Sequence, residues 1–359
     1  MRRTLLVATA TLVWLGVAAP PASAHSVSGV SATNFQTTLR SVNPAVPGLE
    51  VKVVEAGSRL EAENRTGQEL LVLGYKGEPY LRIGPDGVFE NKLSPATYIN
   101  RSRKGGTPPE AAEKAKVGDT DWEKVSSEPI ARWHDHRIHW MGNINPPEVR
   151  NSPDQRHVIK MNADDPQWAV PMWLGTQEIA AKGELVWEPG PSPLPWFAVI
   201  VASLAVVVVL GQRPAWGPSL AAVTAVLLAV DVFHVVGLGL ANAGDLGYRL
   251  TKSITQSPYQ PLAWAVGILA IVWLRRSRSD GLSLAALAGL QIALLGGVAD
   301  LSALSRSEVP FGFAADLARL AIALSVGLGF GLALAAVLRA AGVFGPARTP
   351  ARDDALAPA

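Results

Sequence analysis

Leu194-Pro195-Trp196-Phe197-Ala198-Val199-Ile200-Val201-Ala202-Ser203-Leu204-Ala205-Val206-Val207-Val208-Val209-Leu210-Gly211 is a continuous stretch without a charged side chain. A run of this length matches the roughly 30 Å hydrocarbon core of a bilayer when helical, and in lipid only a helix satisfies its own backbone groups. Four more apolar segments follow: Gly217–Leu240, Tyr259–Leu274, Gly281–Leu304 and Phe311–Leu338. The third is the shortest, which fits a tilted or partly interfacial segment. The reading is a transmembrane helical domain of about five helices over 194–340, with a tail over 341–359.

Working back toward the N-terminus, Pro189-Gly190-Pro191-Ser192-Pro193 forms a short stiff linker, and the composition changes across it. Charged residues crowd into His25–Glu188, while apolar residues dominate Leu194–Leu338. Two solvents explain this better than two soluble domains. At the chain start, Arg2 and Arg3 precede an apolar run from Leu5 to Ala19, and Ala22-Ser23-Ala24 supplies a small-x-small cleavage signature. Residues 1–24 therefore read as a signal peptide, and 25–190 as an extracytoplasmic domain beginning at His25. A free amine and imidazole on one residue form a chelate suited to Cu(II).

Orientation follows from the cations. With 25–190 outside, Arg213, Arg275, Arg276, Arg278, Arg339, Arg348 and Arg352 fall on the cytoplasmic side, against Arg249, Lys252 and Arg306 outside. This obeys the positive-inside rule and sets a multi-pass protein in the cell membrane with a cytoplasmic C-terminus. The lipid bilayer is thus one partner. A net charge of +2 gives no reason to expect nucleic acid.

Within 25–190, short alternating segments recur between turn signals: Leu49–Glu55, Ser58–Asn64, Glu69–Tyr75, Tyr80–Ile83, Val88–Asn91, Ala131–Met141, His157–Met161, Trp168–Leu174 and Glu184–Glu188. Ala56-Gly57 and Gly84-Pro85-Asp86-Gly87 mark hairpins. An all-β, sandwich-like domain is expected, with Arg101–Pro129 as a long polar loop or excursion.

The densest chemistry is Arg132-Trp133-His134-Asp135-His136-Arg137-Ile138-His139-Trp140-Met141. On a strand, His134 and His136 share a face; in a turn, His136 and His139 meet. Either geometry suits copper or zinc, with Asp135 orienting an imidazole and Met141 adding a soft ligand. The chain contains no cysteine, so a metal site would draw on His134, His136, His139, His25 and Met141, with His157 as a distant addition. Against this stands a structural role, in which aromatic and cationic neighbours form a ladder and the imidazoles bond to backbone. A third role is pH sensing by clustered imidazoles.

Five ionisable residues fall inside apolar segments: Asp231, His234, Asp300, Asp316 and Arg319. Asp231 and His234 lie three apart, hence on one helix face, and intramembrane charge marks ion or proton pathways. All five belong to the outer half of the bilayer in the orientation above. No nucleophile elbow, zinc-protease helix, phosphate loop or dinucleotide fingerprint occurs, so no enzyme is expected.

The stretches Gly74–Arg82 and Gly84–Asn91, then Ser94-Pro95-Ala96-Thr97-Tyr98 and the Trp133–Met141 block, resemble a family of actinobacterial predicted membrane proteins of unknown function. That resemblance covers the exported domain and its junction with the first span, and implies this architecture and location. His25 at the mature terminus is similar to the start of CopC-like copper-binding proteins, and the span bearing His234 to their CopD-type membrane partner. These likenesses imply copper handling. The leading expectation is therefore a membrane-anchored copper-binding protein. The alternatives are an interaction module of an envelope complex without metal, and a transporter or permease component using the intramembrane cluster.

Overall fold

The computed structural model describes residues 31–101, 105–161, 165–276 and 280–343. The expected signal peptide over 1–24, His25, Arg278, Arg348 and Arg352 lie outside the described residues. The chain divides into two units: 1–193 with 236–257 and 302–318, and 194–235 with 258–301 and 319–359.

Among the described residues the first unit holds eleven antiparallel strands: β1 Phe35–Asn43, β2 Leu49–Val54, β3 Arg59–Asn64, β4 Leu70–Leu73, β5 Pro79–Gly84, β6 Gly87–Asn91, β7 Trp122–Ser126, β8 Ile130–Trp133, β9 His157–Ile159, β10 Gln167–Leu174 and β11 Gln177–Trp187. One sheet runs β1-β11-β10-β4-β5-β6-β7, with β9 also pairing β11, and a smaller one runs β2-β3-β8. The sheets share a core in which Leu60 and Ala62 of the small sheet meet Leu70, Val72, Ile83, Val170 and Met172 of the large one. The alternation is visible in β3, where every second residue is buried. Burying each large apolar side chain contributes about 1.5–3 kcal/mol.

Three short helices, α1 Pro95–Ile99, α2 Glu110–Lys114 and α3 Pro147–Asn151, interrupt the strands. Two readings of this region change. The polar stretch 101–129 contains β7, which the ladder with β6 recruits although only Trp122 and Ser126 are even partly buried. The Ala131–Met141 strand ends at Trp133. Asp135 accepts the Arg137 amide at 3.1 Å and turns His136–Ile138 into a single 3₁₀ turn.

Two connecting segments pack with the strands inside this unit. Thr33 exchanges both backbone hydrogen bonds with Glu308 at 2.9 Å, Asn34 accepts the Ser307 amide, and Glu55 accepts the Ala243 amide at 3.4 Å. The β region is therefore tied to residues 243 and 307–308 of the helical half's connections.

The helices are α4 Leu194–Gln212, α5 Trp216–Leu240, α6 Leu246–Gln256, α7 Gln260–Arg275, α8 Asp280–Ile292 and α9 Ala315–Ala340. Among the described residues four helical stretches are long and apolar enough to cross a membrane: α4, α5, Asp280–Ser305 and α9. A fifth crossing is available if α6 and α7, bent by 76° at Ser257–Tyr259, count as one broken span. The chain is thus built as a multi-pass membrane protein. Pro258 and Pro261 explain the break, the first ending one helix and the second standing at the start of the next. The amphipathic α6 was not foreseen. Its Asp245 cap accepts the Tyr248 amide at 2.8 Å, and Asn242 and Gln256 exchange amide hydrogen bonds beside it.

The Asp280–Ser305 stretch is not one regular helix. After α8 it passes through a π-helical segment, Ala293–Gly297, and a 3₁₀ segment, Val298–Ser305. Wide turns of this type are frequent at functional sites.

Candidate functional site

Asp231 lies on α5 and is fully buried. Its Oδ2 accepts the Trp264 indole N–H at 2.7 Å and its Oδ1 accepts the Gln260 amide at 3.1 Å. Gln260 and Trp264 stand four apart on α7, so one helix face delivers both donors. Both are neutral. Among the described residues Asp231 has no ion-pair partner.

The π-helical segment closes the site from a third side. A Cβ on Gly296 would stand 2.6 Å from Gln260 Nε2 and 2.7 Å from Asp231 Oδ1. A side chain at 296 would push the Gln260 amide or the Asp231 carboxylate out of its present place. Gln260 is itself 3 % exposed, and among the described residues its Oε1 has no hydrogen-bond partner. A buried acceptor left unmatched costs about 1–3 kcal/mol, so the arrangement is an energetic liability in its present state.

One turn along α5, His234 is also buried, with its Nε2 3.6 Å from Asp300 Oδ2. Asp300 is partly exposed, in the 3₁₀ segment after the π turn. Three of the five intramembrane residues read from sequence therefore gather within the second unit, on α5 and on the irregular part of the Asp280–Ser305 span. Asp316 and Arg319 lie on α9, the first exposed and the second buried. Gln260 and Trp264 were missed. The signal was a polar amide and an indole at helical spacing in an otherwise apolar segment.

In the first unit, the histidine block is built around Ser58 and Asp135. His134 and His139 are each 3 % exposed, and both point at the Ser58 carbonyl: His134 Nδ1 at 2.9 Å and His139 Nε2 at 3.0 Å. A carbonyl only accepts, so each of these nitrogens carries its proton. His134 Nε2 then accepts from Arg59 Nε at 3.2 Å. Arg59 also pairs with Glu55 at 3.3 Å. Glu55 and Ala56 occupy the left-handed region, at φ +55° and +50°, so the pinned Ser58 carbonyl lies beside a strained β2–β3 turn.

Asp135, fully buried, binds the Arg137 guanidinium through both oxygens, at 2.8 and 2.7 Å, and accepts the Trp133 indole at 3.0 Å. Arg137 continues to the Leu73 carbonyl at 3.0 Å and lies over the Tyr75 ring. Burial, reinforced by the Asp135 charge, pushes the Tyr75 phenol upward, keeping it a neutral donor to Asn100 while it accepts the His136 amide.

The expected metal ligands are thus distributed as follows. His134 and His139 converge on one backbone oxygen, His136 stands half-buried beside Tyr75, and Met141 is exposed. His157 bonds the Ser152 carbonyl at 2.6 Å. Among the described residues no group of three or more His, Asp or Glu side chains is arranged to hold a metal ion.

No known protein family, curated protein or solved structure matches this chain.

Proposed function

We propose that the protein is an ion-coupled membrane component, a carrier or permease part, that binds a proton or a small monovalent cation at Asp231. The observation that carries this reading is a fully buried carboxylate on an apolar span, held by two neutral donors and abutted by a π-helical turn. Burying charge in a membrane is costly, and proteins retain it where a proton or ion is handled. A purely structural carboxylate in such a place is ordinarily paired with a cation. The His234–Asp300 pair, one turn away, offers a second group on the same path. The orientation that fits is the one the cations favour, with the β region outside the cell and the C-terminus inside.

The test is reconstitution of the full chain into phospholipid vesicles with an imposed pH, Na⁺ or K⁺ gradient. Collapse of one gradient faster than in protein-free vesicles is expected. Equal rates for all three gradients contradict the reading.

For the exported histidines the geometry favours a structural role over the copper expectation. The free lone pair that a metal needs on His134 is directed at a guanidinium, and His139 Nε2 carries a proton toward Ser58. Changing His134 and His139 together to Ala would strand the Ser58 carbonyl and Arg59, at about 1–3 kcal/mol for each lost set of bonds. Urea unfolding of the full chain should register that loss. Calorimetric titration of the wild type with Cu(II) should show nothing tighter than a surface histidine, and a tight stoichiometric site abolished by the double variant would restore the metal reading.

A further inference from the structure

The orphaned oxygen of Gln260 narrows what the Asp231 site takes. In the structure the amide faces the carboxylate with its N–H₂ end, which is the orientation an ionised Asp231 requires. The same orientation leaves Gln260 Oε1 buried without a donor. A monovalent cation at Oδ1 needs several oxygen ligands to replace its hydration shell, whereas the side chains that reach this carboxylate are one amide and the Trp264 indole, which only donates. A proton needs a single acceptor.

We propose that the ligand of this site is a proton, and that the Gln260 amide reverses as Asp231 takes it up. The inference rests on the reading of Asp231 as an ion site and specifies its ligand. The step is a simple protonation. Water or hydronium delivers a proton to Asp231 Oδ1, an O–H bond forms there, and the carboxylate loses its charge with no other bond broken. The new O–H then needs an acceptor, and Gln260 Oε1 is the unmatched one beside it. Half a turn about the Cγ–Cδ bond presents Oε1 to Oδ1. Trp264 remains bonded to Oδ2 throughout, since a carboxyl and a carboxylate oxygen both accept.

A side-chain amide is suited to this because it carries donor and acceptor at opposite ends of one planar group. It can serve either protonation state with one rotation and no movement of the helices. Glycine at 296 leaves the room: a methyl there would meet Nε2 at 2.6 Å, so the backbone bounds the volume in which the amide turns. The other groups around the site do not compete for the role. Trp264 is a fixed donor, and His234 faces Asp300.

Infrared difference spectroscopy of the full chain in phospholipid nanodiscs, stepped through pH, reads both events at once. The carbonyl stretch reports protonated Asp231, and side-chain-labelled glutamine reports the amide. A carboxyl band that grows as pH falls, is absent in Asp231→Asn, and is accompanied by a shift of the labelled amide band is the expected result. In Gln260→Met, and in Gly296→Ala, whose methyl crowds the amide out, that carboxyl band should move to higher wavenumber because its O–H has lost its acceptor. The wild-type isotope signal keeps the test decisive even if a variant folds poorly. A carboxyl band with a silent glutamine label would overturn the amide reversal while leaving Asp231 as the ion site. A signal that follows Na⁺ or K⁺ at constant pH would overturn the proton. A spectrum with no Asp231-dependent change under pH or cation steps would remove the ion site itself.

Discussion

Asp135→Ala is expected to destabilise the β region by about 3–5 kcal/mol, the loss that follows when one partner of a buried ion pair is removed and the other stays. The expectation comes from what Asp135 holds. It accepts from the Trp133 indole, from the Arg137 backbone amide and from two nitrogens of the Arg137 guanidinium, all while fully buried. Without it, Arg137 keeps its bond to the Leu73 carbonyl and its place over Tyr75, but loses the carboxylate that pairs with it directly. The Trp133 indole also loses its acceptor, and the 3₁₀ turn loses its cap. Burial alone disfavours the Arg137 cation, and the Asp135 charge and hydrogen bonds outweigh that, holding the guanidinium above its ordinary range. Denaturant unfolding of the full chain in detergent, followed by tryptophan fluorescence, measures the effect. A loss below about 1 kcal/mol, the level of an exposed pair, would show that Asp135 does not hold this region together.

Asp231→Asn is expected to abolish gradient-driven flux while leaving the fold in place. Asparagine is close to isosteric with aspartate, its carbonyl oxygen can still accept from Trp264, and its amide can face Gln260 Oε1, which now lacks a donor. The substitution therefore removes charge and proton affinity without creating a cavity or a new unmatched group. In vesicles the variant should leak at the rate of protein-free controls, with an unfolding midpoint near that of the wild type. A variant that retains flux would make Asp231 a structural group. A variant that loses flux and also unfolds would be uninformative alone, so the stability measurement belongs beside it.

How much of this was readable in the sequence divides along physical lines. The spans were legible because lipid demands long apolar stretches with little ambiguity. Asp231, His234 and Asp300 stood out because charge inside such a stretch is costly and therefore rare. Gln260 and Trp264 did not stand out, since a neutral amide and an indole carry only a mild penalty at a span end. The π-helical turn was hidden because Ala293-Leu294-Leu295-Gly296-Gly297 reads as ordinary helix; the wide turn is seen only in the backbone. The amphipathic α6 was likewise absorbed into a loop, its apolar face too short to register as a span.

In the β region, hairpins with explicit turn residues were found at their true positions, as with β5 and β6 around Pro85-Asp86. β1 and β7 were not, because their pattern is mostly polar and their pairing comes from partners distant in sequence, β11 in the first case. The histidine block shows the limit most clearly. Its composition announced chemistry, but the direction of each imidazole depended on where β8 ended. Asp135 ended it, by a side-chain-to-backbone bond that diverts the chain into a 3₁₀ turn. His134 and His139 were then brought together on the carbonyl of Ser58, a residue that nothing in the local sequence marked.

The chain contains no cysteine, which makes one measurement especially direct. Asp231→Cys places a single thiol at the centre of the proposed ion site. In sealed vesicles of known orientation, a small cationic thiol reagent added to one side should modify that thiol, and the reaction should be slower at a lipid-facing control such as Val226→Cys, whose parent side chain is exposed on the same helix. Water must reach this buried position to deliver the proton, and a small hydrophilic reagent reads that aqueous path. A thiol at 231 that stays unreactive from both faces, while the control behaves as expected, would contradict the account and leave the buried carboxylate as an inert polar contact between helices.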